Sequence, residues 1–313
     1  MIGVVKPARI RTALLLPVLL MALSGAAPAA AFHAGHSSCT YEAGTVRLVL
    51  ASQHVVRLLA VEGRIEYSDL ADNSYRGRCG NATVWNTDRV RLTETVARTT
   101  RLQFDQQLGR FGPGRTIESS GVSEIEVYLG TVRDVWFMGR PVRDEVVIGT
   151  RGLNFNGDGD VDLIGTSLIR VTAFLNDGDD SLSASGGSGT GDPWLPTTSG
   201  YLSAYGADGD DVLRGTRRGD SFDGDLGHDR LIGGPGPDDL NGGSGRDRIE
   251  GGGGNDVIDA GPWSDIVAAG SGDDVIRSAD WTFDRLDGGT GTDQGIVDEE
   301  DAVTGVESVS IGP

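Results

Sequence analysis

The chain has 313 residues, with 46 acidic against 27 basic side chains and a formal net charge of −19. An acidic molecule of this kind repels nucleic acid and anionic membranes, which removes nucleic-acid binding from the functions to consider. The charge is uneven: residues 1–150 hold 17 basic and 14 acidic groups, whereas residues 206–297 hold 8 and 20.

Residues 1–31 do not read as part of the fold. Lys6, Arg9 and Arg11 form a positive start, Thr12 to Leu23 is a short apolar run broken by Pro17, and Ala29-Ala30-Ala31 offers a small-residue cleavage site. This is the pattern of a secretory signal peptide. The run is short for a membrane span, no Cys follows Leu23-Ser24-Gly25, and no later segment is apolar enough to cross a bilayer. The expected mature protein is secreted, extracellular and without a membrane span.

Residues 32–150 read as a β-rich region. Val46, Leu48 and Leu50 alternate with polar residues, as do Val90 and Leu92, Leu102 and Phe104, and Ile125, Val127 and Leu129, with Gly63, Gly80 and Gly112-Pro113-Gly114 punctuating the runs. No helical period is visible. The gaps are irregular, which leaves a β-solenoid running into the following segment or a separate β-sandwich. Arg143-Asp144-Glu-Val146 followed by Gly149 favours the solenoid. Cys39 and Cys79 are the only cysteines, and in an exported chain a disulfide between them is the default.

Residues 151–205 are transitional. Asn154, Asn156, Asp158 and Asp162 put oxygen side chains at nearly alternate positions with glycine between them, a spacing able to wrap one cation. That segment resembles the calcium loop of FG-GAP-type repeats; the alternative is an ordinary acidic turn. Asn176-Asp-Gly178-Asp-Asp180-Ser-Leu182 is a fragment of the pattern that follows, and Ala184 to Gly200 reads as a loop or insertion.

Residues 206–297 are written in nines. Asp recurs at 211, 220, 229, 238, 247, 256, 265 and 274, slips by one to Asp284 and resumes at Asp293. Glycines precede every Asp but Asp284, and Leu, Ile, Val or Phe stands two residues after nearly every one. The glycines permit tight turns, and the last three residues of each unit form a short strand with one inward side chain. Stacking should place Leu213, Leu231, Ile249 and Val267 in one interior column and Phe222, Leu240, Ile258 and Ile276 in the facing one, since no unit can bury its apolar residue alone. Glycine carbonyls and carboxylates crowd the turns, a donor set that suits a hard cation such as calcium. Arg218 and Trp263 stand where the turn expects its last glycine, Ala279 to Asp284 has no glycine, and Gly295 replaces an apolar residue. Residues 298–313, with Val303, Val306 and Val309, are expected to cap the roll with a final strand.

The unit G-G-x-G-x-D-x-U-x, with U apolar, resembles the repeats-in-toxin (RTX), hemolysin-type calcium-binding nonapeptide. The resemblance implies an all-β fold with a right-handed parallel β-roll, two nonapeptides per turn, and several calcium ions held between turns. It pairs aspartates eighteen residues apart. Asp211, Asp229, Asp247, Asp265 and Asp284 would ligate along one edge, with Asp180 upstream; Asp220, Asp238, Asp256, Asp274 and Asp293 would ligate along the other.

Proteins of this kind can carry an enzyme upstream. The four histidines, His33, His36, His54 and His228, form no H-E-x-x-H, and no serine lies in G-x-S-x-G. His228 occupies a variable repeat position and is expected to face solvent. No catalytic motif is found. The expected function is a secreted, non-enzymatic calcium-binding protein with a structural or interaction role, its partner in the envelope or among extracellular glycans or proteins left open. The alternative is a small secreted, carbohydrate-active enzyme that uses the roll as a folding module.

Overall fold

The computed structural model describes residues 38–43, 45–50, 55–61, 64–69, 75–83, 89–94, 101–105, 116–117, 123–124, 126–128, 134–154, 163–164, 169–186, 190 and 201–312. Among these there is no helix, and so none long and apolar enough to cross a membrane. The expected signal peptide lies outside the described residues. Strands assemble into one sheet of 14 strands, a second of 13 and a two-stranded hairpin. Glycine and β-branched residues recur too often for a helix to compete.

In the repeat segment, successive nonapeptides join alternate sheets, and neighbouring strands within each sheet are parallel. Leu213 lies opposite Leu231, which is followed by Ile249, Val267 and Leu286. Across the interior, Phe222 is followed by Leu240, Ile258 and Ile276. All are buried, so the two columns meet as expected. The core is only one side chain deep on each side. A single buried Leu or Ile contributes about 1.5–3 kcal/mol, less than the backbone entropy lost in ordering its nine residues. Backbone pairing and whatever occupies the turns must contribute the rest.

The same two sheets continue upstream of the repeats, which favours the solenoid over a separate sandwich. In the first sheet Val146 pairs with Leu182 and Leu182 with Leu213; in the second, Val135 pairs with Val171 and Val171 with Leu202. Paired strands here lie further apart in the sequence than the 18 residues of the repeat segment, as with Val135 and Val171. The strand Gly152–Asn154 interrupts the parallel order, running antiparallel between Glu145–Gly149 and Leu163–Ile164. Asn154, expected to begin a cation loop, is a buried strand residue opposite Val147. Asn156, Asp158 and Asp162 lie outside the described residues.

At the N-terminal end both sheets finish in antiparallel pairs. Ser38–Glu42 folds onto Thr45–Leu50 at the edge of the first sheet, and Val55–Val61, Arg64–Asp69 and Tyr75–Thr83 form a meander at the edge of the second. The expected Cys39–Cys79 disulfide is formed and joins these two edges over buried Leu58, Ile65 and Tyr67. Closing a span of 40 residues is worth about 3–4 kcal/mol in the chain-entropy account. Reduction should therefore raise amide exchange in residues 38–83, while neighbour-limited coupling leaves residues 206–297 protected. Equal loss of protection in both regions would show that they unfold as one unit.

The C-terminal end corrects an expectation. Residues 298–313 are more than one capping strand: Ala302–Thr304 extends the first sheet beside Arg285–Thr290, and Ser308–Ile311 extends the second beside Gln294–Val297. The roll thus continues for a further turn. Gly295 does not end it, because Val297 and Val306 close over the position its side chain would take.

Candidate metal centre

The turns lie along two edges of the roll, and each brings one buried aspartate to the same position. Along one edge, the backbone N–H of Asp211 donates to Oδ1 of Asp229 (2.8 Å), that of Asp229 to Asp247 (2.8 Å), that of Asp247 to Asp265 (2.7 Å) and that of Asp265 to Asp284 (2.7 Å). Upstream, Asp180 donates to Asp211 (2.7 Å) and Asp144 to Asp180 (2.5 Å). Along the other edge, Asp220 donates to Asp238 (2.7 Å), Asp238 to Asp256 (2.8 Å), Asp256 to Asp274 (2.8 Å) and Asp274 to Asp293 (2.9 Å). Each carboxylate thus spends one oxygen on satisfying the preceding turn. The single-residue slip before Asp284 is absorbed within its turn.

The other oxygen has no such partner. Oδ2 of Asp180, Asp211, Asp229, Asp238, Asp247, Asp256, Asp265, Asp274 and Asp293 is buried without a hydrogen-bond donor. Those of Asp211, Asp229, Asp238, Asp247, Asp256 and Asp293 lie beside carbonyl oxygens. A methyl group built on Gly206 would strike Asp211 Oδ2 and the Gly224 carbonyl; on Gly224, it would strike Asp229 Oδ2 and the Gly242 carbonyl. Glycine at the first position therefore leaves an oxygen-lined cradle between turns. Buried acceptors facing one another without donors call for a cation.

No three His, Cys, Asp or Glu side chains gather into a metal-holding group among the described residues. Each turn offers one buried carboxylate beside backbone carbonyls, an all-oxygen donor set that fits calcium.

Two of the expected ligands differ from the rest. Oδ2 of Asp220 accepts the backbone N–H of Thr216 (2.6 Å), and Oδ2 of Asp284 accepts the Ser278 hydroxyl. Both remain in the hydrogen-bonded ladder without a bare second oxygen. Trp263 adopts the left-handed backbone of its glycine counterparts, with φ at 93°, and Asp265 keeps its bare oxygen. His228 is exposed as expected, yet its Nδ1 accepts the N–H of Arg246 (2.8 Å) and its own N–H donates to Asp210 (2.9 Å). This forms an outer ladder that the sequence did not announce.

Asp144, read from the sequence only as part of a repeat-like segment, takes a site-like position. Gly139, Asp144 and Val146 keep the repeat spacing, but no second glycine accompanies them. Here a guanidinium takes the cation's part. Arg140 Nε and Nη2 lie 2.6 and 2.5 Å from Asp144 Oδ1, the Arg140 backbone N–H donates to Oδ2 (2.7 Å), and Nη2 also donates to the Arg143 carbonyl (2.9 Å). Asp301 and Glu307 continue the ladders beyond the nonapeptides, accepting the N–H groups of Asp284 and Asp293.

Burial raises the metal-free carboxyls far above the usual range of about 3.8. Asp180, Asp229, Asp238 and Asp265 are pushed up to about 8, and Asp211 and Asp256 to about 6. Desolvation is the main cause; the N–H of the preceding turn opposes it, and neighbouring carboxylates add to it. A folded pKa above the unfolded one gives stability that is full in acid and lost as pH rises through about 6 to 8. The calcium-free protein should therefore melt at a higher temperature at pH 5 than at pH 8, and the calcium midpoint should fall over the same interval. A calcium-free melting temperature that rises with pH would contradict this.

Residues 205–240, 232–262 and 264–280 match the family described as RTX calcium-binding nonapeptide repeat (4 copies). No curated protein matches the chain.

Proposed function

We propose that this chain, which carries RTX calcium-binding nonapeptide repeats, is a secreted non-enzymatic protein whose repeat half folds on binding several calcium ions and serves a structural or interaction role. The observation that carries this is the row of nine buried carboxylate oxygens without donors. Asp180, Asp211, Asp229, Asp247 and Asp265 on one edge, and Asp238, Asp256, Asp274 and Asp293 on the other, would hold the ions, with turn carbonyls completing the shell. Asp220 and Asp284 serve the ladder. Bound calcium supplies neutralising charge and cross-links turns. Export is supported by the signal-like residues 1–31 and by the disulfide.

Magnesium should not substitute. It demands compact octahedral geometry and dehydrates reluctantly, whereas calcium accepts about 6–8 oxygens in flexible loops. Trp263 and Trp281, in the turns of one edge, report the event. The expected result is a large fluorescence change with millimolar calcium and little with equal magnesium. Identical responses would sink the assignment.

A further inference from the structure

The residue that opens each turn of the roll is glycine in most units. A carbon placed on Gly206, Gly224, Gly233, Gly242, Gly251 or Gly288 would meet two oxygens at once: Oδ2 of that turn's own aspartate and the carbonyl of the opening residue one turn on. The missing side chain is therefore what keeps the cradle open. Three turns with a bare carboxylate open differently, with Leu175 ahead of Asp180, Ala260 ahead of Asp265 and Ala269 ahead of Asp274. All three side chains are buried. The backbone at these positions follows the same course as at the glycines. Leu175 and Ala260 donate their N–H groups one turn on, to the carbonyls of Tyr205 and Arg277 (2.9 and 2.8 Å), as Gly242 does to Asp259 (2.9 Å). Ala269 lies in the register of Gly251, between the pairs Glu250–Ala268 and Gly252–Gly270. Ser278, which opens the slipped turn of Asp284, shows where such a side chain goes: it is buried, and its hydroxyl donates to Asp284 Oδ2.

We propose that the opening residue ranks the turns as calcium sites. The cradles of Asp211, Asp229, Asp238, Asp247, Asp256 and Asp293 open on glycine and form a tight class, with one ion each. Those of Asp180, Asp265 and Asp274 form a weak class that fills only at higher calcium. Calcium must come within about 2.3–2.6 Å of each oxygen. A methyl or larger group in the same close-packed space keeps the ion from the facing carbonyl, so the carboxylate is left with fewer partners. Asp293 is then a tight site set apart from the others by two weak turns and the hydroxyl-filled turn of Asp284. This ranking rests on the calcium reading of the turns and deepens it, since it assigns the order in which they load.

The test counts ions bound to the full protein by equilibrium dialysis against radioactive calcium, with calorimetry to separate the classes. The parent should bind six ions in the tighter class, and the rest only at roughly tenfold higher calcium or more, as fewer ligands weaken a flexible oxygen site. Ala260→Gly with Ala269→Gly should move two ions from the weaker class to the tighter one and lower the calcium midpoint. Glycine gives up more backbone freedom on folding, so calcium-free stability should not rise, and a lower midpoint cannot come from a sturdier fold. Gly242→Ala should remove one ion from the tighter class; Gly242 is not among the positive-φ positions, so alanine can take its backbone. If that variant fails to fold, the count in the alanine-to-glycine variant decides. A single class of nine equal sites in the parent, or an unchanged tight count in either variant, would overturn the ranking and leave the calcium assignment standing. A parent that binds no calcium would overturn both.

Discussion

Removal of calcium at pH 8 is expected to unfold residues 206–297 while the disulfide-closed N-terminal end persists. Nine carboxylate oxygens lie in the interior without donors, and those of Asp211, Asp229, Asp238, Asp247, Asp256 and Asp293 lie beside carbonyl oxygens. Ionised and unpaired, each carries a desolvation cost of several kcal/mol, against about 1.5–3 kcal/mol from the one buried apolar side chain of each unit. Calcium reverses the balance by binding only the folded form. At a Kd near ~10⁻⁴ M, typical of weak extracellular sites, one millimolar ion adds about 1.4 kcal/mol per site. That is small singly, but neighbour coupling makes the sum cooperative. Hydrogen exchange resolves the outcome by region: protection of residues 206–297 should vanish in calcium-free buffer and return together on titration. Full protection without the ion would refute the account.

Substitution of Asp247 separates ligand from ladder. Its Oδ1 accepts the N–H of Asp229, its own N–H donates to Asp265, and its Oδ2 is bare. In Asp247→Ala the buried N–H of Asp229 loses its acceptor, a loss of about 1–3 kcal/mol, and the cradle beside it loses its charge. The calcium midpoint should rise several-fold and calcium-free stability in acid should fall. Asp247→Asn keeps the acceptor but removes the charge and adds donors where oxygens face each other. It should raise the midpoint similarly while preserving or increasing calcium-free stability. Asp259, exposed at the ninth position, gives the reference: Asp259→Ala should change neither quantity. If Asp259→Ala and Asp247→Ala shift the midpoint equally, the acids act only as diffuse charge.

Within residues 206–297 most of the arrangement was legible, because every position of a nonapeptide repeats an identical contact. A strand with one inward residue and a turn with one inward carboxylate leave a period of nine that slips only once, before Asp284. The longer turns upstream leave none. Val46 pairs with Val90, Val90 with Val127 and Val127 with Leu163, at intervals of 44, 37 and 36 residues. Pairing fixes the register inside each strand but puts no limit on the loops outside the sheets. The antiparallel insertion at Gly152–Asn154 followed no repeated signal. Asp144 was hidden as a site because its cation is a side chain, Asp301 because its turn has no glycine, and Glu307 because Glu stands where the unit has Asp and only Gly305 precedes it. Trp263 marked a broken turn in the sequence, yet the backbone there keeps the glycine conformation.

The ladder has a direction, since each aspartate donates its N–H to the one a turn further on. Its first member, Asp144, is already neutralised by Arg140. An isolated repeat would have to order two turns at once before an ion could sit between them, the costly nucleus of any cooperative chain. Here a finished turn, built without metal, waits at one end. Calcium has only to extend a seed, so the array can grow one turn at a time from that end, and the concentration at which it orders measures elongation rather than nucleation.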